Sequence, residues 1–485
     1  MANLGDVSSR PVTVSRGRWV VGLCAFVCLF AGCSSGGSGA SKRSLGSSAS
    51  TSRAPNTTST TTGVQRGGGW ATYFGDDARS GVASDGPDSL GALRKRWVSP
   101  TLDGDVYAQP LLVGSGAVIA TEHDTVYLLD ASDGAVVWQT HLGEPVSGSS
   151  LPCGDVDPVG ITSTPVVDAS ANRIYVVGLV QPGRHTLFEL DLSSGHLLDS
   201  VDVDAEGADP LVHNQRAALM LSNGHVYIPY GGRFGDCGDY HGRVVSVSVS
   251  PSGLGSVASY SLPTQGQGGF WAPPGAVVAD DGSLYLTSGN SSSTTSYDYG
   301  NSVVHLSADL RLLDWFAPTN WAALSRGDLD LGATGPALLP GSRIFQIGKS
   351  GIGYLLNAEH LGGIGGQLHS GTVCNDGAAF GGVAHDGNTL FVPCSNGIVQ
   401  VIVSGDTFNV GWTAPLSRPG PAVIADGAVW TVATRDGDLI ALDPASGKTI
   451  TSEAIGTVPS QFTSPAAGQG LIVVAAERKL SAFGL

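Results

Sequence analysis

The chain has 485 residues, 70 of them Gly and 26 Pro, and only 14% of it is charged. A Gly share of about twice the usual one, without a collagen-like period, favours many short strands joined by tight turns, and no long stretch shows apolar residues at helical spacing. The formal net charge of −16 and the lack of a basic stripe argue against a nucleic-acid partner.

Residues 1–33 read as an export leader. Arg10, Arg16 and Arg18 precede an apolar run over residues 19–31 that is too short for a comfortable membrane span. The run ends Leu29-Phe30-Ala31-Gly32-Cys33, which resembles a bacterial lipoprotein processing site. That resemblance implies lipidation of Cys33 and anchoring to the outer face of the cell membrane; an ordinary leader or an uncleaved anchor is the alternative. Residues 34–69 are almost all Ser, Gly, Thr and Ala. Such a segment buries no core and is expected to be a disordered tether.

From Trp70 onward the chain repeats itself. Val126-Tyr127-Leu128-Leu129-Asp130-Ala131-Ser132-Asp133-Gly134 leads to Trp138, and related units run from Leu187 to Gly195 and from Leu439 to Gly447. Each reads as a strand, a turn bearing Asp and Gly, and a second strand. Two apolar strands precede each unit, so one repeat is a four-stranded antiparallel sheet, a–b–c–d. First strands are expected near Ala108, Thr162, Arg216, Ala272, Gly335, Gly382, Pro421 and Ser464. This predicts an all-β, eight-bladed β-propeller over residues 70–485. The last blade supplies only three strands; Leu93-Arg94-Lys95-Arg96-Trp97-Val98 is expected to add the fourth and close the ring. Trp97 then falls where Trp138, Trp315 and Trp412 fall in their own d strands.

Cys24, Cys28 and Cys33 belong to the leader, which leaves Cys153, Cys237, Cys374 and Cys394 in the folded part. An even count in an exported domain suggests two disulfides, with three connectivities open. The preferred pairing is Cys153–Cys237 with Cys374–Cys394. No pair has the C-x-x-C spacing of a metal site.

The a–b and c–d turns are short, as at Asn223-Gly224, Asp281-Gly282 and Asp133-Gly134. The d–a and b–c connections are long: residues 144–160, 231–241, 290–301 and 318–332. One face of the propeller is therefore elaborated, and long loops on a rigid scaffold are where function concentrates. Trp271, Asn290, Asp328, Asp330 and Lys349 map to this face in blades four and five. Gln215, Arg216, Asp236 and Asp239 map to it in blade three. A flat aromatic, an amide oxygen, carboxylates and a lysine around one mouth suit a flat anionic cofactor with a divalent cation.

Residues 70–485 resemble the quinoprotein alcohol dehydrogenases and their relatives, the pyrroloquinoline-quinone-type propellers. The shared motif is Leu-x-Ala-Leu-Asp-x-x-x-Gly, as from Leu439 to Gly447. The resemblance implies Asn290, in Tyr285-Leu286-Thr287-Ser288-Gly289-Asn290, as a calcium ligand with Asp330. It implies Trp271 as the floor beneath the quinone, Asp330 as the base that takes a proton from an alcohol, and Lys349 and Arg216 as groups contacting the cofactor. The adjacent cysteine pair that often caps the quinone in this family is absent; Cys237 is followed by Gly238. The acidic metal ligand has only Asp236 or Asp239 as substitutes, and no haem-attachment motif is present.

Two functions follow from the resemblance. A non-catalytic lipoprotein propeller that assists outer-membrane protein assembly implies a binding or scaffolding module with a cell-envelope protein partner. The alternative is a dehydrogenase that uses pyrroloquinoline quinone and calcium to oxidise a small alcohol or polyol. A sugar- or peptide-recognition module is a third class. The chain is expected to act as a monomer.

Overall fold

The computed structural model describes residues 69–83, 91, 93–375 and 377–484. The leader, Cys33 and all of the expected tether except Gly69 lie outside the described residues. Gly69 already pairs with Val113, next to Trp70.

Among the described residues the strands form eight sheets, antiparallel except where Gly363–Ile364 runs parallel to Leu312–Ala317 at the outer edge of blade four. Their first strands, a, are Leu111–Val113, Val166–Asp168, Met220–Ser222, Val277–Val278, Ala337–Leu339, Ala384–Asp386, Val423–Ala425 and Ala466–Gly468. Each lies two to five residues beyond its expected start. Burial follows the a-to-d order. In blade one, Leu111–Val113 and Gly116–Ala120 are wholly buried, whereas the outer strand Val136–His141 is mostly exposed. The apolar content of strands a and b therefore packs blade against blade, and the polar d strands face water. The ring closes as expected. Arg94–Val98 pairs with Lys479–Gly484 in blade eight, with Lys95 opposite Phe483 and Trp97 opposite Ala482.

The repeated motif has a mechanical role. Trp97, Trp138 and Trp412 each donate an indole N–H to the c–d turn of the next blade, at the carbonyls of Ala131 (2.8 Å), Leu192 (3.0 Å) and Pro444 (3.0 Å). The preceding Asp ties the turn: Asp130 accepts the N–H of Ser132 at 2.8 Å, and Asp443 accepts that of Ser446 at 2.8 Å. The Gly that ends the motif leaves room for the indole. A Cβ on Gly195 would lie 2.4 Å from Trp138, at a φ of +71°. Gly195→Ala is therefore expected to lower stability by about 2–3 kcal/mol, from overpacking and left-handed strain together; a urea titration checks this.

One element was not expected from the sequence. Residues 69–83 run through the centre of the ring. Ala71 accepts the N–H of Val167 in blade two, Asp77 that of Val278 in blade four, Ser80 that of His385 in blade six and Gly81 that of Ile424 in blade seven. Val167 and Val278 lead into short a–b turns, so this axial plug fills the channel from the face opposite the long loops.

Both expected disulfides form. Cys153–Cys237 ties the loop before blade two to the b–c loop of blade three, and Cys374–Cys394 fastens blade six.

Candidate functional site

The long loops of blades four and five bring Trp271, Asn290, Asp330 and Lys349 together. Asn290 follows strand b of blade four, Leu284–Thr287, and Lys349 follows strand b of blade five, Arg343–Gln346. Asp328 and Asp330 lie in the connection between those blades, after the short helix Trp321–Arg326. Asp330 is 6% exposed. It accepts the backbone N–H of Asn290 at 2.6 Å and pairs with Lys349 Nζ at 2.6 Å. Lys349 Nζ also lies 2.8 Å from Asp328 and 5.7 Å from the centre of the Trp271 ring. Gly289 lets the cluster close. A Cβ there would fall 2.5 Å from Asp330 Oδ1 and 2.9 Å from Trp271 Nε1.

The side chain of Asn290 is occupied at both ends. Its Nδ2 donates to Asp328 at 2.9 Å, and its Oδ1 accepts from Asn301 Nδ2 at 2.9 Å. The buried Asn301 also accepts the N–H of Leu331 at 2.7 Å, which fixes the loop carrying Asp330. Burial pushes the Asp330 carboxyl above the ordinary aspartate range, against the opposing pull of Lys349. For Lys349, burial works against the charge, but Asp330 and Asp328 outweigh it and hold its pKa above the usual lysine value.

Arg216 stands apart from this group. Its guanidinium stacks 4.1 Å above the Phe462 ring and donates to Ser460 at 3.0 Å. Phe462 meets Trp271 edge-on at 6.2 Å and Phe380 at 6.1 Å. The mouth thus has an aromatic floor with Arg216 on one side and Lys349 on the other. Phe380, Phe462 and Asn301 were missed in the sequence. The two phenylalanines lie just ahead of strand a in blades six and eight, as Trp271 does in blade four, and an aromatic recurring in that connection was the available signal.

A divalent ion does not fit this arrangement. The oxygens proposed as its ligands are already engaged, Asn290 Oδ1 by Asn301 and the Asp330 carboxylate by the Asn290 N–H and by Lys349, whose ammonium supplies the positive charge between the two acids. Of the substitutes, Asp236 accepts the Tyr240 hydroxyl at 2.5 Å, and Asp239 stands 3.6 Å from His241. Among the described residues no three His, Cys, Asp or Glu side chains are grouped to hold a metal. What remains is a polar cluster of two carboxylates about one ammonium, against an aromatic floor, suited to recognition by hydrogen bonding and stacking.

The family model PQQ_2, described as outer membrane protein assembly factor BamB, matches residues 87–310. No curated protein matches the sequence. Among solved structures, the chain is similar to the quinohemoprotein alcohol dehydrogenase from Comamonas testosteroni, with a TM-score of 0.66 at 14% identity over 86% of this chain and 81% of that one. It is similar to quinohemoprotein alcohol dehydrogenase ADHIIG from Pseudomonas putida HK5, with a TM-score of 0.65 at 13% identity over 86% and 80%. BamB from Moraxella catarrhalis matches with a TM-score of 0.55 at 11% identity, over 81% of this chain and all of that one. At these identities the likeness is one of fold.

Proposed function

We propose that this PQQ-like β-propeller is a binding module, exported and held at the outer face of the cell membrane through lipidated Cys33, that docks a cell-envelope protein on its elaborated face. The observation that carries the reading is Phe234. It is 71% exposed, the most exposed of the large apolar side chains among the described residues, and lies in the b–c loop of blade three. The Cys153–Cys237 disulfide pins that loop. An aromatic held out on a fixed loop loses little conformational freedom on binding, as an interface anchor requires. The leader sequence supports the anchoring, and the match to the BamB family model supports a scaffolding use of the fold.

The closed charge cluster around Lys349 favours this reading over the dehydrogenase. The mature protein, mixed with calcium and pyrroloquinoline quinone, is expected to retain no quinone after gel filtration and to reduce no dye with alcohols. Retention at about micromolar cofactor, with dye reduction lost in Asp330→Ala, would establish the dehydrogenase instead. A photo-reactive residue at position 234 is expected to capture a discrete protein partner in intact membranes. A clean monomer with no adduct overturns the docking reading.

A further inference from the structure

The outer edge of blade three is built differently from its neighbours. Its last strand, Gly253–Ser261, runs nine residues with no charge and no proline, and residues 255–259 are all exposed. It pairs with Arg243–Ser250 on one side and, among the described residues, with no strand on the other. The register is regular from Val257 to Ser261, opposite Val247 to Arg243. On an antiparallel edge every second residue points its N–H and C=O away from the sheet, so this stretch is a template for another strand. Several other outer edges are guarded. Arg94–Val98 carries three basic residues, Leu197–Asp202 two aspartates, and Thr407–Pro415 ends in proline. Leu312–Ala317 is covered by Gly363–Ile364, so an outer edge of this propeller does accept an added segment.

A groove of about 580 Å³ lies beside this strand, between it and the connection that follows the last strand of blade two. Val245 and Ala205, both buried, and Val257, 43% exposed, line it. Val245 and Ala205 belong to the apolar packing between blades two and three, which the groove continues outward. Three acids, Asp202, Asp204 and Glu206, share the lining with one base, Arg184, which lies 3.6 Å from both aspartates. The groove therefore keeps an excess of negative charge, and Glu206 is exposed to meet a cation. The far end of the strand is already tied, since Asp199 accepts the N–H of Leu254 at 3.0 Å. The free part of the edge is the part beside the groove.

We propose that an extended segment of a partner protein adds to this edge as a further β-strand along Val257–Ser261, with an apolar side chain in the groove against Val245 and Val257 and a lysine or arginine facing Glu206. Only an extended chain meets successive outward N–H and C=O groups, which favours a strand over a helix as the occupant. Main-chain bonds supply the affinity, and the groove and its charge select the sequence. The inference goes beyond the Phe234 reading and does not rest on it: Phe234 lies in a b–c loop, whereas this edge is the outermost strand of the blade.

The probe is a short synthetic peptide of alternating threonine and valine with a central lysine, labelled with fluorescein and titrated by anisotropy into the whole mature protein. It is expected to bind with a Kd of about 10–100 μM. Methylating its alternate backbone nitrogens should weaken binding at least about tenfold, because the outward carbonyls then lose their donors. Replacing its lysine by glutamate should weaken it about fivefold, and Glu206→Lys should reverse that preference. Val257→Lys, at an exposed position, should weaken the lysine peptide at least about tenfold by guarding the edge with like charge. No binding up to about 1 mM overturns the proposal, as do equal binding of the methylated peptide and unchanged binding in Val257→Lys. Should Val257→Lys fail to fold, amide exchange in the wild type decides: the peptide should slow exchange within residues 257–261, and slowing confined to another blade overturns the proposal. The rival occupant is a second copy of this chain. A dimer in sedimentation at about 100 μM that Val257→Lys dissolves would also overturn it.

Discussion

Lys349→Met is expected to lower the unfolding free energy by about 3 kcal/mol at neutral pH, the usual cost of removing one partner from a buried ion pair. The Asp330 side chain is 8% exposed and that of Lys349 21%, so solvent does little to replace the lost ammonium. Methionine keeps most of the stem that crosses Trp271, which isolates the charge. The pH dependence identifies the cause. Without Lys349, burial raises the Asp330 carboxyl further above its unfolded value. A raised carboxyl stabilises only while protonated, so the variant's deficit should shrink as pH falls from 7 towards about 4. In the wild type, Lys349 is raised as well as Asp330; the contribution of Lys349 is full below the ordinary lysine pKa and is lost only as pH rises beyond it. Lys349→Met/Asp330→Asn should recover most of the loss, because no buried charge is then left uncompensated. Urea titrations of the four proteins at two pH values form a double-mutant cycle. A coupling energy below about 0.5 kcal/mol would show an ordinary surface pair and undo the argument that Lys349 fills the place of a metal ion.

The distance between this result and the sequence is instructive. The blades were legible because strand alternation and Asp-Gly or Asn-Gly turns are local signals. Asn223 and Gly224 take the positive φ values expected of such a hairpin turn. Ring closure was legible because Trp97 repeats the position of Trp138 and Trp412. The convergence of Trp271, Asn290, Asp330 and Lys349 followed from strand order alone. The occupancy of their polar atoms did not. That Asn301 fixes Asn290, and that Lys349 sits between two acids, depends on loop paths which no periodicity records. Phe462 reaches Trp271 only because blade eight closes beside the central mouth, across nearly 200 residues of chain.

The axial plug was the least legible element, and Arg79 is the residue on which it depends. Residues 69–83 have neither strand alternation nor helical spacing, so nothing local distinguishes them from a linker. Their structure comes from backbone groups that the innermost strands leave unpaired. Arg79 is 2% exposed. Its guanidinium donates to the carbonyls of Tyr73 (2.7 Å), Leu219 (2.9 Å) and Ala276 (3.3 Å) and to the Thr72 hydroxyl. It thereby ties the plug to blades three and four, while Gln109 holds the other end. That amide accepts the Trp70 indole N–H at 2.9 Å and donates to Ser464 at 3.0 Å. Arg79→Met is expected to cost about 4 kcal/mol, since several buried carbonyls lose their donor at about 1–3 kcal/mol each and not additively. The plug should then open before the ring does. Limited proteolysis should cleave the variant within residues 69–83 under conditions that leave the wild type intact, because opening is local where the closing bonds are fewest. Were the segment only resting against the ring, the variant would lose less than about 1 kcal/mol and show no new cleavage. The size of the loss therefore measures whether the floor beneath the Trp271 mouth is a structural part of the propeller, and hence whether Tyr73, which the charge of Arg216 reaches from above, is fixed in place when a partner docks.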